Sequence, residues 1–252
     1  MWIDYPASGH IPQLRQLWKI AFGDEDAFLD LFFRHAFAID RCRCILTEDR
    51  IAAVLYWFDC SLENRKIAYI YAVATHPDFR NQGLCRKLMA DTHQILADRG
   101  YAGAVLVPQK ESLRQMYAGM GYRDCGGLNR FACAAENRQL PVRTIGAEEF
   151  TALRRSLLPA DGVVQEGENI SFLASQLQFY AGPDFLLTAY AEEDTLHGIE
   201  LLGDISVASG IPAALGFSRG TFRTPGTQLP FAMFHPLADS CPVPGYFGFA
   251  FD

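Results

Sequence analysis

The chain has 252 residues, half of them hydrophobic, and a formal net charge of -7. That content supports a real core and excludes a disordered segment, and the length allows one large domain or two smaller ones. The negative balance argues against a general nucleic-acid-binding surface, and no uncharged apolar run reaches the roughly 18 residues that a membrane helix needs.

The opening stretch from Met1 to Pro6 can form a short strand; with no basic start and no apolar run, it does not read as a secretory signal. Ile11, Leu14, Leu17, Trp18, Ala21 and Phe22 fall on one helical face, and Gly23 supplies a stop. Phe28, Leu31, Phe32 and His35 repeat at helical spacing, so a second helix follows, with His35 a core or interface histidine. Residues 42–48 and 51–59 read as a hairpin closed by Glu48-Asp49-Arg50, and 66–75 as a further strand. The seven cysteines include no C-x-x-C pair. The nearest two, Cys42 and Cys44, are read as facing opposite sides of the strand, hence as a poor chelate and a poor disulfide. A reduced, cytoplasmic chain is the economical reading.

A loop over 76–83 leads to a helix from about Gly83 to Arg99 that buries Leu84, Leu88, Met89, Ile95 and Leu96. A small, aliphatic strand at 102–107 suits a position covered on both faces. A short helix at 111–118 ends at the break Gly119-Met120-Gly121, and strands at 122–125 and 128–134 close a mixed α/β sheet. The polar stretch Glu136–Pro141 reads as a linker, and charge changes there: residues 1–140 carry a net of +1 and residues 141–252 a net of -8. Two domains are expected, 1–137 and a smaller α/β domain over 138–252. In the second, 147–158 and 166–180 read as helices and 184–191 with 195–200 as a hairpin. Residues 204–215 are ambiguous because of Pro212, and strands are expected near 219–223, 231–234 and 246–251.

The segment that could carry chemistry is the strand ending at Thr75, the loop Arg80-Asn81-Gln82-Gly83-Leu84-Cys85 and the long helix behind it. A helix N-terminus presents unpaired backbone N–H groups and partial positive charge, and a glycine there lets a phosphate approach the backbone. Arg80 adds a full charge, so a diphosphate suits the place. An ordinary strand–turn–helix connection with a solvated arginine fits the hexapeptide equally well. The spacing is neither a Walker loop nor a G-x-G-x-x-G dinucleotide turn.

The run Tyr71-Ala72-Val73-Ala74-Thr75-His76-Pro77-Asp78-Phe79-Arg80-Asn81-Gln82-Gly83-Leu84-Cys85 resembles the acetyl-CoA motif of the GNAT N-acetyltransferase superfamily. That motif is written Arg/Gln-x-x-Gly-x-Gly/Ala after a strand and a Val-x-Pro turn. Arg80 and Gly83 match, while Cys85 stands where Gly or Ala is preferred. The segment Ser112–Tyr122 resembles the second landmark, a helix carrying a tyrosine just before a Gly-Phe/Tyr strand start. The resemblance spans roughly residues 1–135 and implies the GNAT fold with acetyl-CoA as donor substrate and no metal. By that resemblance the backbone of Val73, Ala74 and Thr75 lies along the pantetheine, and the Val73 N–H faces the thioester carbonyl. Amides of Arg80, Asn81, Gln82, Gly83, Leu84, Cys85 and Arg86 hold the pyrophosphate, and Ser112 helps hold the cofactor. Tyr117 protonates the leaving thiolate; read without the family, it is a core aromatic.

His76 is read as a turn residue rather than a base. Strand 67–75 has no carboxylate, and Asp59, Glu63, Glu25 and Glu111 are candidate bases with none favoured by spacing. A GNAT domain followed by a second α/β module also resembles the larger Eis-like acetyltransferases, for which this chain is too short. There the terminal carboxylate reaches the active site, implying such a role for Asp252; an edge strand ending at the surface is the plainer reading. The second domain lacks the Arg-x-x-Gly loop, so it is a degenerate GNAT-like module if it is one at all.

The expected function is acetyl transfer to a primary amine of a small or peptidyl, cationic acceptor by direct attack. A non-catalytic acyl-CoA-binding or regulatory module and a purely structural or interaction protein are the rival readings. Expected partners are acetyl-CoA and an amine, with no nucleic acid and no membrane; aromatic strands near the C-terminus could pair two copies.

Overall fold

The computed structural model describes residues 1–250; the Asp252 reading falls outside them. The chain divides into two compact units, Met1–Arg123 with Phe234–Pro242, and Asp124–Met233 with Val243–Asp252. Two units were expected, but with one crossing near residue 138. Instead the strand that follows Tyr122 already belongs to the second unit, and a late segment returns to the first.

The first unit holds β1 (Trp2–Asp4), α1 (Ile11–Phe22), α2 (Asp26–His35), β2 (Cys42–Leu46), β3 (Ile51–Leu62), β4 (Arg65–Thr75), α3 (Leu84–Asp98), β5 (Gly103–Leu106) and α4 (Glu111–Ala118). Strand order is β1-β2-β3-β4-β5, followed by the returned segment. The first three pairings are antiparallel, while β4 and β5 run parallel across the α3 crossover.

Parity along β2 and β3 sets the two faces of this sheet. Cys42 pairs with Tyr56, whose ring meets Trp18 of α1 at 5.3 Å. Arg43, one residue on, turns to the other face and bonds Asp91 of α3 at 2.6 Å. Cys42 and Cys44 are two residues apart and therefore share a face: their sulfurs lie 3.8 Å from one another, both buried, which corrects the expectation that they point apart. Along α3, Thr92 is buried where Ile95 was expected.

The second unit holds β6 (Arg123–Ala134), β7 (Arg143–Ile145), α5 (Ala147–Leu157), β8 (Val164–Gln165), α6 (Glu168–Ala174), β9 (Gln178–Ala181), β10 (Phe185–Glu192), β11 (Thr195–Gly203), α7 (Gly210–Leu215), β12 (Arg219–Pro225) and β13 (Leu229–Pro236), whose last residues, Phe234–Pro236, lie in the first unit. Strand order is β13-β6-β12-β11-β10-β9-β7. Leu186 and Leu202 pack with Phe150 of α5 and Ile170 of α6, while Leu187 and Leu201 pack with Ile211 of α7. Alternation along the β10–β11 hairpin thus feeds a core on each face.

Three expectations change here. The helix read over 166–180 is only α6; bonds from Ser175 and Gln176 back to Phe172 and Leu173 close it, and β9 then pairs with β10 and β7. The strands read at 122–125 and 128–134 are one, β6. No strand forms over 246–250, where Tyr246 makes a single bridge to Gly162.

Candidate functional site

β4 is zipped to β3 along its length, from Leu62↔Arg65 to Ala53↔Thr75. Its ladder with β5 covers only Ile67, Tyr69 and the residue between them. Among the described residues no strand flanks β4 on that side beyond Tyr69, so Tyr71–Thr75 offer backbone groups there. A bulge reinforces the parting: Tyr71 and Ala74 face Tyr56 and Val54, leaving two residues of β4 opposite Leu55 alone. One of them, Ala72, has φ 47°. Val73 is the other; Ala74 and Thr75 follow it on the same bare edge.

The loop beyond β4 folds back on the strand. The His76 amide donates to the Ala52 carbonyl at 2.9 Å, and its Nδ1 accepts from the Asp78 amide at 3.3 Å, so His76 caps a turn. Arg80 Nε donates to the Thr75 carbonyl at 3.2 Å, and Gln82 Nε2 to the Asp78 carbonyl at 3.4 Å. Asn81 at φ 61° and Gly83 at φ 73° are left-handed and bend the chain tightly into α3. The Lys87 amide reaches the Gly83 carbonyl at 3.1 Å, so those of Leu84, Cys85 and Arg86 precede the first helical bond and point out of the helix end. A Cβ on Gly83 would meet nothing within 4 Å. Bare amides, open space and positive dipole together fit a diphosphate. Leu84 could offer only its amide there, since its side chain is buried.

A hydrogen bond ties the start of α3 to the end of α4. Arg86 Nη1 donates to the Gly119 carbonyl at 2.6 Å. Cys85 lies within electrostatic reach of Tyr117. Tyr117 is 7% exposed, and among the described residues no side-chain hydrogen bond engages its hydroxyl. Burial, and then Cys85, push its pKa up, so the phenol keeps its proton at neutral pH. Burial likewise raises the Cys85 thiol, with Arg86 a smaller opposing effect. Ser112 is exposed in the first turn of α4 and is not brought to the others by any bond.

The candidate bases stand apart. Asp59 accepts from the Tyr101 hydroxyl and lies 3.9 Å from Arg41. Glu111 lies 3.9 Å from Arg114, Glu25 precedes α2, and Glu63 sits in the β3–β4 turn at φ 48°. Sequence reasoning missed His93 and His235. His93 Nε2 is 2.8 Å from the Tyr122 hydroxyl, and His235 stacks on His93. The place of His93 on the buried stripe Met89–Leu96 was a signal; nothing local marks His235.

Residues 3–125 match the family model described as an acetyltransferase (GNAT) domain. No curated protein sequence matches significantly. Among solved structures, the chain is similar to a GCN5-related N-acetyltransferase from Kribbella flavida, with 16% identity, a TM-score of 0.72 and coverage of 94% of this chain and 72% of that one. It is similar to Eis1 from Mycobacterium abscessus at 10% identity and TM-score 0.69, over 94% of this chain and 74% of that one. A GCN5-related N-acetyltransferase from Sphaerobacter thermophilus aligns over 96% of this chain and 97% of its own at 12% identity and TM-score 0.60. At these identities the structural likeness carries the fold alone.

Proposed function

Since residues 3–125 are an acetyltransferase domain of the GNAT superfamily, we propose that the protein transfers an acetyl group from acetyl-CoA to a primary amine by direct attack. One observation carries this reading: the bare edge of β4 after Tyr69 leads, through the Arg80–Gly83 loop, to the uncapped first turn of α3. An extended thiol arm suits the first and a diphosphate the second. The amine nitrogen attacks the thioester carbonyl carbon, and the developing oxyanion is met by the Val73 N–H. The carbon–sulfur bond then breaks, and Tyr117 gives its proton to the leaving thiolate. The excess proton on the acceptor nitrogen passes to water.

Arg80 is tied to Thr75 through Nε only, which leaves its outer nitrogens for phosphate. The net of -8 over residues 141–252 favours cationic acceptors by long-range attraction. Calorimetry with CoA, then release of free thiol from acetyl-CoA across a panel of polyamines, aminoglycosides and lysine peptides, tests the reading. Binding without release across the panel would leave a non-catalytic acyl-CoA module; failure to bind CoA would end both. For an accepted cation, kcat/KM should fall as salt rises, because screening weakens steering.

A further inference from the structure

Beside Tyr117 lies a polar aromatic cluster that the reaction as described does not use. α4 ends in a paired closure: the Tyr122 amide donates to the Tyr117 carbonyl at 3.2 Å and the Gly121 amide to the Ala118 carbonyl at 3.0 Å, with Gly121 left-handed at φ 92°. This closure brings the Tyr117 and Tyr122 rings edge to face, with centroids 5.8 Å apart. The buried Tyr122 hydroxyl meets Nε2 of His93, which projects from α3, at 2.8 Å. The His93 ring stacks on His235 at 4.4 Å and 13°, and His235 lies 5.3 Å from the Tyr122 ring. His235 also covers the turn itself, since a Cβ on Gly121 would fall 2.9 Å from its Cε1.

We propose that Tyr122, His93 and His235 are positioning residues that hold the Tyr117 phenol in one orientation, an inference that rests on Tyr117 as the proton donor. A donor must stay within hydrogen-bond reach of the atom it protonates, and a misplacement of about 1 Å can cost on the order of a hundredfold. Tyr117 sits on a short helix with a Gly-Met-Gly end, and its hydroxyl has no side-chain partner among the described residues. Its ring is steadied through Tyr122, whose hydroxyl is fixed by His93, whose ring is clamped by His235. Burial keeps Tyr122 protonated, and burial with His235 keeps His93 neutral near pH 7, so Tyr122 donates and His93 Nε2 accepts.

The test combines kinetics with 19F NMR of protein labelled with 3-fluorotyrosine, the Tyr117 resonance being assigned from Tyr117→Phe. In His93→Leu that resonance should shift or broaden, and kcat should fall about ten- to a hundredfold with KM for acetyl-CoA unchanged. His93→Gln, whose amide can reach the Tyr122 oxygen, should restore both, and His235→Ala, which removes the stack, should shift the Tyr117 resonance and lower kcat in the same direction as His93→Leu. A Tyr117 resonance and kcat unmoved in His93→Leu would overturn the proposal, as would equal losses in the Leu and Gln variants. Parent-like turnover in Tyr117→Phe would instead remove the proton-donor role, while the resonance would still decide whether the bracket holds the ring.

Discussion

The ring of Phe234 lies directly on Gly103: a Cβ built on that glycine would fall 2.2 Å from Cζ and 2.3 Å from Cε2. The contact seats the returned segment against β5, where Leu237 and Ala238 amides also bond the Ala102 carbonyl at 2.9 and 3.1 Å. Phe234 is 1% exposed and cannot swing into solvent. Gly103→Ala should therefore cost about 1–3 kcal/mol by overpacking. Phe234→Ala should cost more, about 3–5 kcal/mol, by opening a cavity. Urea midpoints of the two variants and of the double variant check this; the double should be milder than the sum, because the added methyl then enters the space the ring left.

Gly83 separates binding from stability. Nothing occupies the position of its Cβ, so Gly83→Ala meets no clash, and the left-handed φ of 73° sets a strain of only about 1–2 kcal/mol. The methyl would, however, take up open space next to the first turn of α3, where the amides of Leu84, Cys85 and Arg86 make no helical bond. Calorimetry should show CoA affinity falling about tenfold, roughly 1.4 kcal/mol, on a folded protein. Unchanged affinity would place the diphosphate elsewhere.

Cys85 is the nucleophile that a covalent route would need, and its surroundings oppose one. A thiol raised by burial holds its proton, and only the thiolate attacks. Cys85→Ala should keep turnover within about threefold of the parent, and mass spectrometry after acetyl-CoA should find no acetyl group on the chain. Tyr117→Phe should lower kcat about a hundredfold with CoA affinity unchanged.

In the second unit, Arg154 and Glu200, each about 1% exposed, meet in a two-pronged bond, Nε to Oε2 at 2.8 Å and Nη2 to Oε1 at 2.9 Å. The Tyr246 hydroxyl donates to the same carboxylate at 2.9 Å, and Phe249 lies under the guanidinium. The pair thus ties residues 246–250 to the core of this unit. Glu200→Gln strips the charge that Arg154 was buried against and should cost about 3–5 kcal/mol, read as a lowered urea midpoint. Replacing both with methionine should cost much less, since neither charge then needs desolvation.

Local pattern made much of the first unit legible. Helical stripes placed α1, α2 and α3, a glycine break ended α4, and the motif placed the β4–α3 turn because its chemistry is contiguous in sequence. What was missed depends on distant partners. Gln178–Ala181 continues a helical stripe, but pairing with β10 and β7 makes it a strand. Cys42 and Cys44 are the exception and need no distant partner: residues two apart along a strand share a face, so their sulfurs meet. His235 reaches Tyr122 only because the chain returns after 110 residues in the second unit, which no local pattern encodes.

Acid should act through His93 in a direction fixed by its environment. Burial, and then the stacked His235, lower its pKa from 6.5 to about 4 in the folded protein, and the Tyr122 hydroxyl also faces it. As pH falls from about 6.5 towards 4, the unfolded chain takes up a proton that the folded chain declines, so native stability declines across that window. The full contribution stands above pH 6.5, and below about 4 both states are protonated and the effect levels off. The shift corresponds to a loss on the order of 3 kcal/mol. Carboxylates elsewhere also respond to acid, so the measurement is a comparison: urea midpoints at pH 7.5 and 4.5 for the parent and for His93→Gln. The glutamine variant should lose markedly less stability between the two; equal losses would mean that the folded protein accepts the proton on His93 as readily as the unfolded chain does.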